Sequence, residues 1–151
     1  ICAIERLSKK IFSTDISPQA LEVAMENINL HGVENIHVAC HDFLNQDFKM
    51  RFDVVISNPP YIAIDKIKSL QVEVRDYDPE IALTDGADGL IFYRRFADRF
   101  DDLILPDGYM LLEIGGNTCK ESVENIFSIA GLKSIFIRDL QGDFRAVEVH
   151  K

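Results

Sequence analysis

Residues 54–61 read VVISNPPY, an apolar run followed at once by a rigid polar turn. The successive apolar residues Val54–Ile56 predict a β-strand that is buried on both faces. This strand must end at the two prolines, because proline has no N–H with which to continue a hydrogen-bonded ladder. The turn is therefore expected at the carboxyl edge of a buried sheet.

The turn, Asn58-Pro59-Pro60-Tyr61, contains the groups needed to hold a planar –NH2 group. The prolines fix φ and remove two amide donors, so the carbonyls of Asn58 and Pro59 are less readily drawn into a local turn. The Asn58 side chain adds an acceptor, and the Tyr61 ring can cover the planar group from behind. A turn that merely ends the strand is the alternative, but it does not account for Asn58 and Tyr61. We therefore take all four residues as candidate catalytic and substrate-binding residues.

On both sides of this turn, short apolar runs alternate with helical periodicity. Upstream we expect a strand ending at Asp15, a helix capped by Ser17 with Pro18 in its first turn, and a strand over residues 36–40. Downstream we expect an irregular polar stretch over 63–89, a helix over 92–103, a strand over 109–114, a helix opened by a Thr118–Glu121 capping box, and a hairpin of strands 134–137 and 145–149. This alternation predicts an α/β fold with a mostly parallel sheet and one antiparallel strand from the terminal hairpin.

Further candidate residues follow the upstream strands, because ligands of open parallel sheets bind beyond the carboxyl ends of the strands. A carboxylate at Asp15 can accept hydrogen bonds from both hydroxyls of a ribose. Asp42 and Phe43 follow the next strand, where an acid can accept from an adenine amino group and a flat ring can stack on the base. The alternatives are a helix-capping acid at Asp15 and a surface turn with one core aromatic at 42–43. The residues alone leave both alternatives open.

The chain has 151 residues, 16 of them Lys or Arg and 25 Asp or Glu, and a formal net charge of −9. Its apolar fraction of 47% fits one globular domain, or the main part of one, and excludes a disordered chain. The acidic balance argues against broad electrostatic binding to nucleic acid, but leaves room for a local basic patch. The cysteines and histidines lack metal-site spacing, and no run is apolar enough for a membrane span. We expect a cytoplasmic protein without a metal site.

Several motifs together resemble a known family. An Asn-Pro-Pro-Tyr turn after an apolar strand is similar to the motif of S-adenosylmethionine-dependent amino-methyltransferases, which modify planar nitrogens. Within that group, the whole chain resembles the HemK family of protein-(glutamine-N5) methyltransferases. The other matching segments occur in family order and are VRDYDPEIAL at 74–83, DGL at 88–90, FYR at 92–94, LEIG at 112–115, and RDL at 138–140 with Gly142 and Arg145. The family usually has Glu in place of Asp78 and often Gln in place of Asn117.

The resemblance implies a Rossmann-like fold and S-adenosylmethionine as the cofactor. In that fold Asp15 would hold the ribose hydroxyls, Phe43 would pack on the adenine, and Asp42 would contact the adenine amino group. Asn58 would lie between the cofactor and the substrate.

The resemblance also implies a substrate, the glutamine of the Gly-Gly-Gln loop in peptide chain release factors. The Asn58 side chain and the Pro59 carbonyl would accept hydrogen bonds from the glutamine –NH2 group, with Pro60 and Tyr61 completing the site. The methyl would then pass in line to the amide nitrogen, with no covalent enzyme intermediate.

The family's Gly-rich loop, which wraps the methionine part of the cofactor, has no counterpart in the chain. The only adjacent glycine pair, Gly115-Gly116, follows a late strand, and residues 1–4 resemble the helix that follows the loop. We expect residues 1–151 to be the C-terminal part of a catalytic domain, without the family's upstream helical domain. The sheet's central strand, between the strands ending at Asp15 and Asn58, would also lie upstream. We expect this chain by itself to be inactive and to bind the cofactor weakly.

Two other functions stay open from the sequence. The same tetrapeptide suits N6-methylation of adenine in DNA or RNA, which predicts a basic groove and aromatic platforms for a flipped base. The net charge of −9 and the absence of Trp argue against that function. The other is a non-catalytic remnant that binds a partner, and the intact tetrapeptide argues against it.

Overall fold

The computed structural model describes residues 9–151. The chain divides into two compact units, the first ending at Asp47 and the second comprising Phe48–Lys151. The helix expected at residues 1–4 lies outside the described residues. None of the helices described is both long enough and apolar enough to cross a membrane.

The first unit is a strand–helix–strand segment made of β1, Ile11–Asp15, α1, Pro18–Leu30, and β2, Ile36–Cys40. β1 and β2 pair in parallel, with Asp15 opposite Cys40 at their carboxyl ends. The predicted cap of α1 is confirmed, since the Ser17 hydroxyl accepts a hydrogen bond from the Ala20 amide and proline occupies the first turn. These bounds agree with the sequence pattern.

The second unit contains a four-stranded sheet. Its strands are β3, Phe52–Ser57, β4, Ile104–Glu113, β5, Lys133–Arg138, and β6, Phe144–His150, in the order β3-β4-β6-β5. β3 and β4 are parallel, whereas β6 is antiparallel to both of its neighbours. The predicted terminal hairpin with one antiparallel strand is thus confirmed. The parallel pairing of β3 and β4 brings their carboxyl ends to the same edge.

The core of the second unit lies on one face of this sheet. The helices over it are α4, Ile91–Asp98, α5, Phe100–Leu103, and α6, Lys120–Ile129. The fully buried side chains are Tyr93, Met110, Leu112, Ile114, Val123, Phe127, Val147 and Val149. Because they come from β4, β6 and both longer helices, burial of their apolar surface holds the carboxyl end of β4 in a rigid frame.

The other face of β3 is open, so the prediction of burial on both faces is wrong. Val54 and Ile56 are 38% and 62% exposed, whereas Val55 is half-buried and pairs with the fully buried Met110. Successive strand residues point to opposite faces, and only the face of Val55 and Met110 has apolar partners in the second unit. A run of apolar residues shows that burial is favourable, but not which neighbours provide it.

The stretch from 63 to 89 was predicted to be irregular but contains three short helices. A 3₁₀ helix covers Ile64–Ser69, α2 covers Val72–Tyr77, and α3 covers Glu80–Leu83. None of the three has a buried residue. Short helices without a buried face leave no apolar periodicity in the sequence, which explains the error.

Three predicted boundaries downstream also need correction. The single helix expected over 92–103 is divided into α4 and α5 at Arg99. β4 begins at Ile104 rather than Tyr109 and has an irregular register, with Asp107 in a left-handed conformation at φ 67°. The predicted capping box is wrong, because Cys119 precedes α6 and no side chain caps that helix.

The described strands form two sheets, one in each unit. Within residues 9–151, β1 pairs only with β2, and β3 pairs only with β4. A further strand between those ending at Asp15 and Asn58 stays a prediction.

Candidate active site

The Asn58–Tyr61 turn follows directly from the last residue of β3, Ser57. Asn58 is exposed, Pro59 is buried, and Tyr61 is half-buried. Within the described residues, no turn or loop backbone hydrogen bond ends on the carbonyl oxygen of Asn58 or Pro59. The fold therefore holds this turn without using the two carbonyls that the sequence singles out.

Hydrogen bonds to a later segment support the turn from its downstream side. The Ile62 amide donates to the Leu83 carbonyl at 3.0 Å, and the Ile64 amide donates to the Ala87 carbonyl at 2.9 Å. Gly89 lies directly against Tyr61, since a Cβ at Gly89 would be 2.3 Å from the Tyr61 carbonyl oxygen. Gly89 also has φ +79°, a conformation that side-chain-bearing residues rarely adopt.

Asp85 organises the segment that contains Gly89. Its Oδ1 accepts hydrogen bonds from the amides of Ala87 at 2.8 Å and Gly89 at 3.0 Å, and its Oδ2 accepts from the Ile91 amide at 2.8 Å. One carboxylate thus fixes the loop and also satisfies an amide at the start of α4. Asp85 lies in the stretch over 63–89 that was predicted only to be irregular and polar. Its position shortly before Gly89 and α4 was the available signal.

An ion pair closes the same loop onto α4. Both guanidinium nitrogens at the end of Arg94 donate to the carboxylate of Asp88, a bidentate arrangement. These hydrogen bonds hold the pKa of the Asp88 carboxyl below its ordinary value and raise the pKa of Arg94. The DGL and FYR segments of the family resemblance are therefore in direct contact.

Tyr61 is held by its hydroxyl and by its ring. The hydroxyl donates a hydrogen bond to Oε1 of Glu113 at 3.1 Å. The ring lies against Gly115, where a Cβ would be 2.9 Å from the Tyr61 Cδ2 atom. Burial raises the pKa of Tyr61, and the Glu113 carboxylate raises it further. Tyr61 is thus a neutral hydrogen-bond donor at ordinary pH.

Two more residues, Tyr93 and Arg145, interact with Glu113. The Tyr93 hydroxyl, on a fully buried side chain, donates to the Glu113 backbone carbonyl at 2.7 Å. Arg145 on β6 is paired with Asp139 at 3.3 Å, and its positive charge acts on both Tyr61 and Glu113. Residues from β4, α4 and β6 therefore come together at Glu113, the acceptor of the Tyr61 hydroxyl.

In the first unit, one oxygen of Asp15 has the helix-capping role that the sequence left open, whereas its ribose-binding role stays a prediction. Its Oδ1 accepts a hydrogen bond from the Ser17 amide at 2.8 Å, just before α1. Among the described residues, nothing engages its Oδ2, and the side chain is exposed. One oxygen thus stabilises the start of the helix while the other is available to a hydroxyl group.

Asp42 lies at the same edge, since the His41 amide donates to the Asp15 carbonyl at 3.0 Å. Its Oδ1 accepts from the amides of Leu44 and Asn45, and its Oδ2 accepts from the Asn45 side chain at 2.8 Å. The hydrogen bond from the Asn45 side chain is the main cause that lowers the pKa of Asp42. These contacts favour the structural-turn alternative for Asp42. Phe43, half-buried, follows in the same turn.

Among residues 9–151, the structure shows no group of three or more His, Cys, Asp or Glu side chains that could hold a metal ion. The tetrapeptide lies in the second unit, and Asp15, Asp42 and Phe43 lie in the first.

Sequence comparisons identify relatives for almost the whole chain. A family model described as "Methyltransferase small domain" matches residues 1–74. A Fusobacterium nucleatum protein named release factor glutamine methyltransferase is 33% identical over 156 residues, which cover 99% of this chain and 42% of that protein. A Clostridium acetobutylicum protein of the same name is 38% identical over 134 residues, covering 85% of this chain and 46% of that protein. The chain thus spans about half the length of the curated relatives it matches.

Solved structures share the fold at low sequence identity. A ribosomal protein L11 methylase from Lactobacillus delbrueckii subsp. bulgaricus has a TM-score of 0.65 at 17% identity, covering 95% of this chain and 58% of that one. The N-methyltransferase NodS from Bradyrhizobium japonicum, in complex with S-adenosyl-l-homocysteine, has a TM-score of 0.53 at 14% identity, covering 93% of this chain and 66% of that one. At these identities the likeness shows the fold alone.

These likenesses confirm the family resemblance drawn from the motifs. The curated relatives match most of the chain, and the structural neighbours share its arrangement of strands and helices. The chain therefore has the Rossmann-like fold of these methyltransferase structures, and its sequence matches proteins named release factor glutamine methyltransferase over almost all of its length.

Proposed function

We propose that this protein methylates the side-chain amide nitrogen of the glutamine in the Gly-Gly-Gln loop of peptide chain release factors. The observation that carries the proposal is the Asn58–Tyr61 turn, which leaves the Asn58 and Pro59 carbonyls outside the turn and loop hydrogen bonds of the described residues and fixes the Tyr61 ring beside them. The names of the curated relatives support the same substrate.

The turn suits an amide nitrogen because that nitrogen is a weak nucleophile that must be oriented. The Asn58 side-chain oxygen and the Pro59 carbonyl accept the two hydrogens of the –NH2 group and aim the nitrogen lone pair. The same oxygens favour the positive charge that develops on the nitrogen during transfer. The proton becomes acidic after transfer, so no strong base is needed.

The first unit has side chains that fit S-adenosylmethionine, which supplies an electrophilic methyl group on a sulfonium when bound. The exposed Oδ2 of Asp15 accepts hydrogen bonds from ribose hydroxyls, while Oδ1 remains with the Ser17 amide. The Phe43 ring packs on the adenine. Asp42 holds the turn that presents Phe43, and a direct contact of Asp42 with the adenine amino group would need its carboxylate to accept one more hydrogen bond.

The test is a methylation assay with the full-length protein and labelled S-adenosylmethionine. The substrates are a release factor, the same release factor with its loop glutamine replaced by glutamate, and DNA and RNA. We expect label only in the unmodified release factor, since glutamate has no amide nitrogen. Label in nucleic acid and none in the release factor would overturn the proposal in favour of adenine N6-methylation.

A further inference from the structure

Glu113 accepts hydrogen bonds from two tyrosine hydroxyls, one at its carboxylate and one at its backbone carbonyl. Its carboxylate accepts the Tyr61 hydroxyl at 3.1 Å, and its backbone carbonyl accepts the Tyr93 hydroxyl at 2.7 Å. Tyr93 is completely buried, so its hydrogen bond anchors the backbone of Glu113 to the close-packed core. The core therefore restrains the backbone of Glu113, and the Glu113 carboxylate in turn restrains the Tyr61 hydroxyl.

Arg145 brings a positive charge close to this carboxylate. It stands on β6, and β6 is the antiparallel neighbour of β4, with Glu113 paired to Ala146 next to Arg145. The arginine is paired with Asp139 and also acts on the charge of Glu113. The same arginine also acts on the Tyr61 hydroxyl that donates to this carboxylate.

We propose that Glu113 is a positioning residue, which fixes the Tyr61 ring behind the acceptor amide through the Tyr61–Glu113 hydrogen bond. This inference rests on the proposed function, because it assigns Tyr61 to the amide site. Without the hydrogen bond, the Tyr61 ring keeps its contact with Gly115 but loses the restraint at its far end. Transfer between two aligned atoms is sensitive to such a loss, since small misplacements slow a reaction steeply.

The first measurement separates kcat from KM in the full-length protein with a release factor. Glu113→Ala removes the acceptor, and Tyr61→Phe removes only the donor. Each is expected to lower kcat about 10-fold with little change in the KM for S-adenosylmethionine. The double variant is expected to match the single variants, because both break the same hydrogen bond.

Glu113→Gln is the conservative variant, which is expected to retain the activity that Glu113→Ala loses. Its side-chain oxygen can accept the Tyr61 hydroxyl, so kcat is expected to stay within about threefold of the unaltered protein. Thermal unfolding of every variant provides the control for folding. Full kcat in both Glu113→Ala and Tyr61→Phe would overturn the inference, as would additive losses in the double variant.

The second measurement does not depend on the substrate. A titration of phenolate absorbance, with the Tyr61→Phe curve subtracted, reports the pKa of Tyr61. Glu113→Gln removes a negative charge and is expected to lower this pKa, whereas Arg145→Met removes a positive charge and is expected to raise it. An unchanged Tyr61 titration in both variants would overturn the inference even if methylation is observed. The expected shifts in a protein that methylates no release factor would retain the Tyr61–Glu113 link and reject the proposed substrate.

Discussion

Asn58 and Tyr61 stand at the two ends of one rigid turn and are held in different ways. Tyr61 has contacts at its hydroxyl, its ring and its carbonyl, whereas the Asn58 side chain is exposed. This difference fits the proposed roles, in which the Tyr61 ring borders the substrate amide and the Asn58 side chain hydrogen-bonds to it. At the scale of single residues, the consequences are kinetic rather than structural.

Asn58→Ala is expected to lower kcat/KM for methyl transfer about 100-fold, because the proposed site uses the Asn58 oxygen as an acceptor that favours the developing charge. The measurement is steady-state kinetics on a release factor with the full-length protein. Asn125→Ala, which alters an exposed asparagine on α6, is the matched control and should retain full activity. Near-normal turnover by Asn58→Ala would contradict the assigned role.

Asp15→Ala is expected to weaken S-adenosylmethionine binding about 10-fold, since hydrogen bonds to a carboxylate are lost. Calorimetric titration of the full-length protein measures the change. Ser17→Ala is the control, because it removes the cap of α1 but leaves the Asp15 carboxylate in place. It should cost about 1 kcal/mol of stability. Equal affinities in Asp15→Ala and the unaltered protein would leave Asp15 as a helix-capping acid only.

At the scale of elements, the loop before α4 determines how the turn is supported. Asp85 ties this loop to the start of α4, and the backbone at Gly89 lies directly against Tyr61. The loop contains two glycines with the same positive φ of +79°, Gly86 and Gly89, and only Gly89 has close neighbours. The two positions therefore separate backbone strain from steric contact.

Gly86→Ala is expected to lower the free energy of unfolding by about 1–2 kcal/mol, through left-handed strain alone. Gly89→Ala should cost about 1–3 kcal/mol more, because its new methyl would meet the Tyr61 carbonyl. Urea unfolding of the two variants measures the difference. Methyl transfer should fall in Gly89→Ala and persist in Gly86→Ala. Equal stability of the two variants would show that the backbone moves away from Tyr61 without cost.

At the scale of the whole molecule, carboxylates engaged in local hydrogen bonds make stability depend on pH. Asn45 lowers the pKa of Asp42, Arg75 lowers that of Asp76, and Arg94 lowers that of Asp88, each from an ordinary value of 3.8. Because the folded protein binds these protons less tightly than the unfolded chain, their stabilisation is complete above the ordinary pKa. It is lost as the pH falls through the lower folded values.

Asp88→Asn is expected to flatten the loss of stability below about pH 4. In the unaltered protein, the Asp88 carboxylate is protonated in this range and loses its ion pair with Arg94. The readout is urea unfolding at a series of acidic pH values. The effect should shrink in high salt, because both partners are about half exposed and therefore screened. Asp98→Asn is the control, since Asp98 lies 4.0 Å from Arg95, and its effect should be smaller. Identical pH profiles for both variants would contradict the role of the Asp88–Arg94 pair.

Elements with a strong local signal were predictable from the sequence. Ser17 and Pro18 mark the start of α1, and the spacing of the last two apolar runs predicts the hairpin of β5 and β6. The short helices between 64 and 83 were not predictable, because none has a buried face to leave a periodic pattern. The exposure of Ile56 was missed for a related reason, since burial depends on what covers a strand.

The sequence by itself determined the tetrapeptide and the acids at the strand ends, because backbone restriction by proline and the chemistry of Asn, Tyr and Asp are properties of single residues. Only the tertiary structure decided which residues support them. Glu113 is separated from Tyr61 by 52 positions, and the parallel pairing of β3 with β4 brings the two side chains into hydrogen-bond contact. Register and packing set such contacts over long distances in the chain, so no local pattern records them.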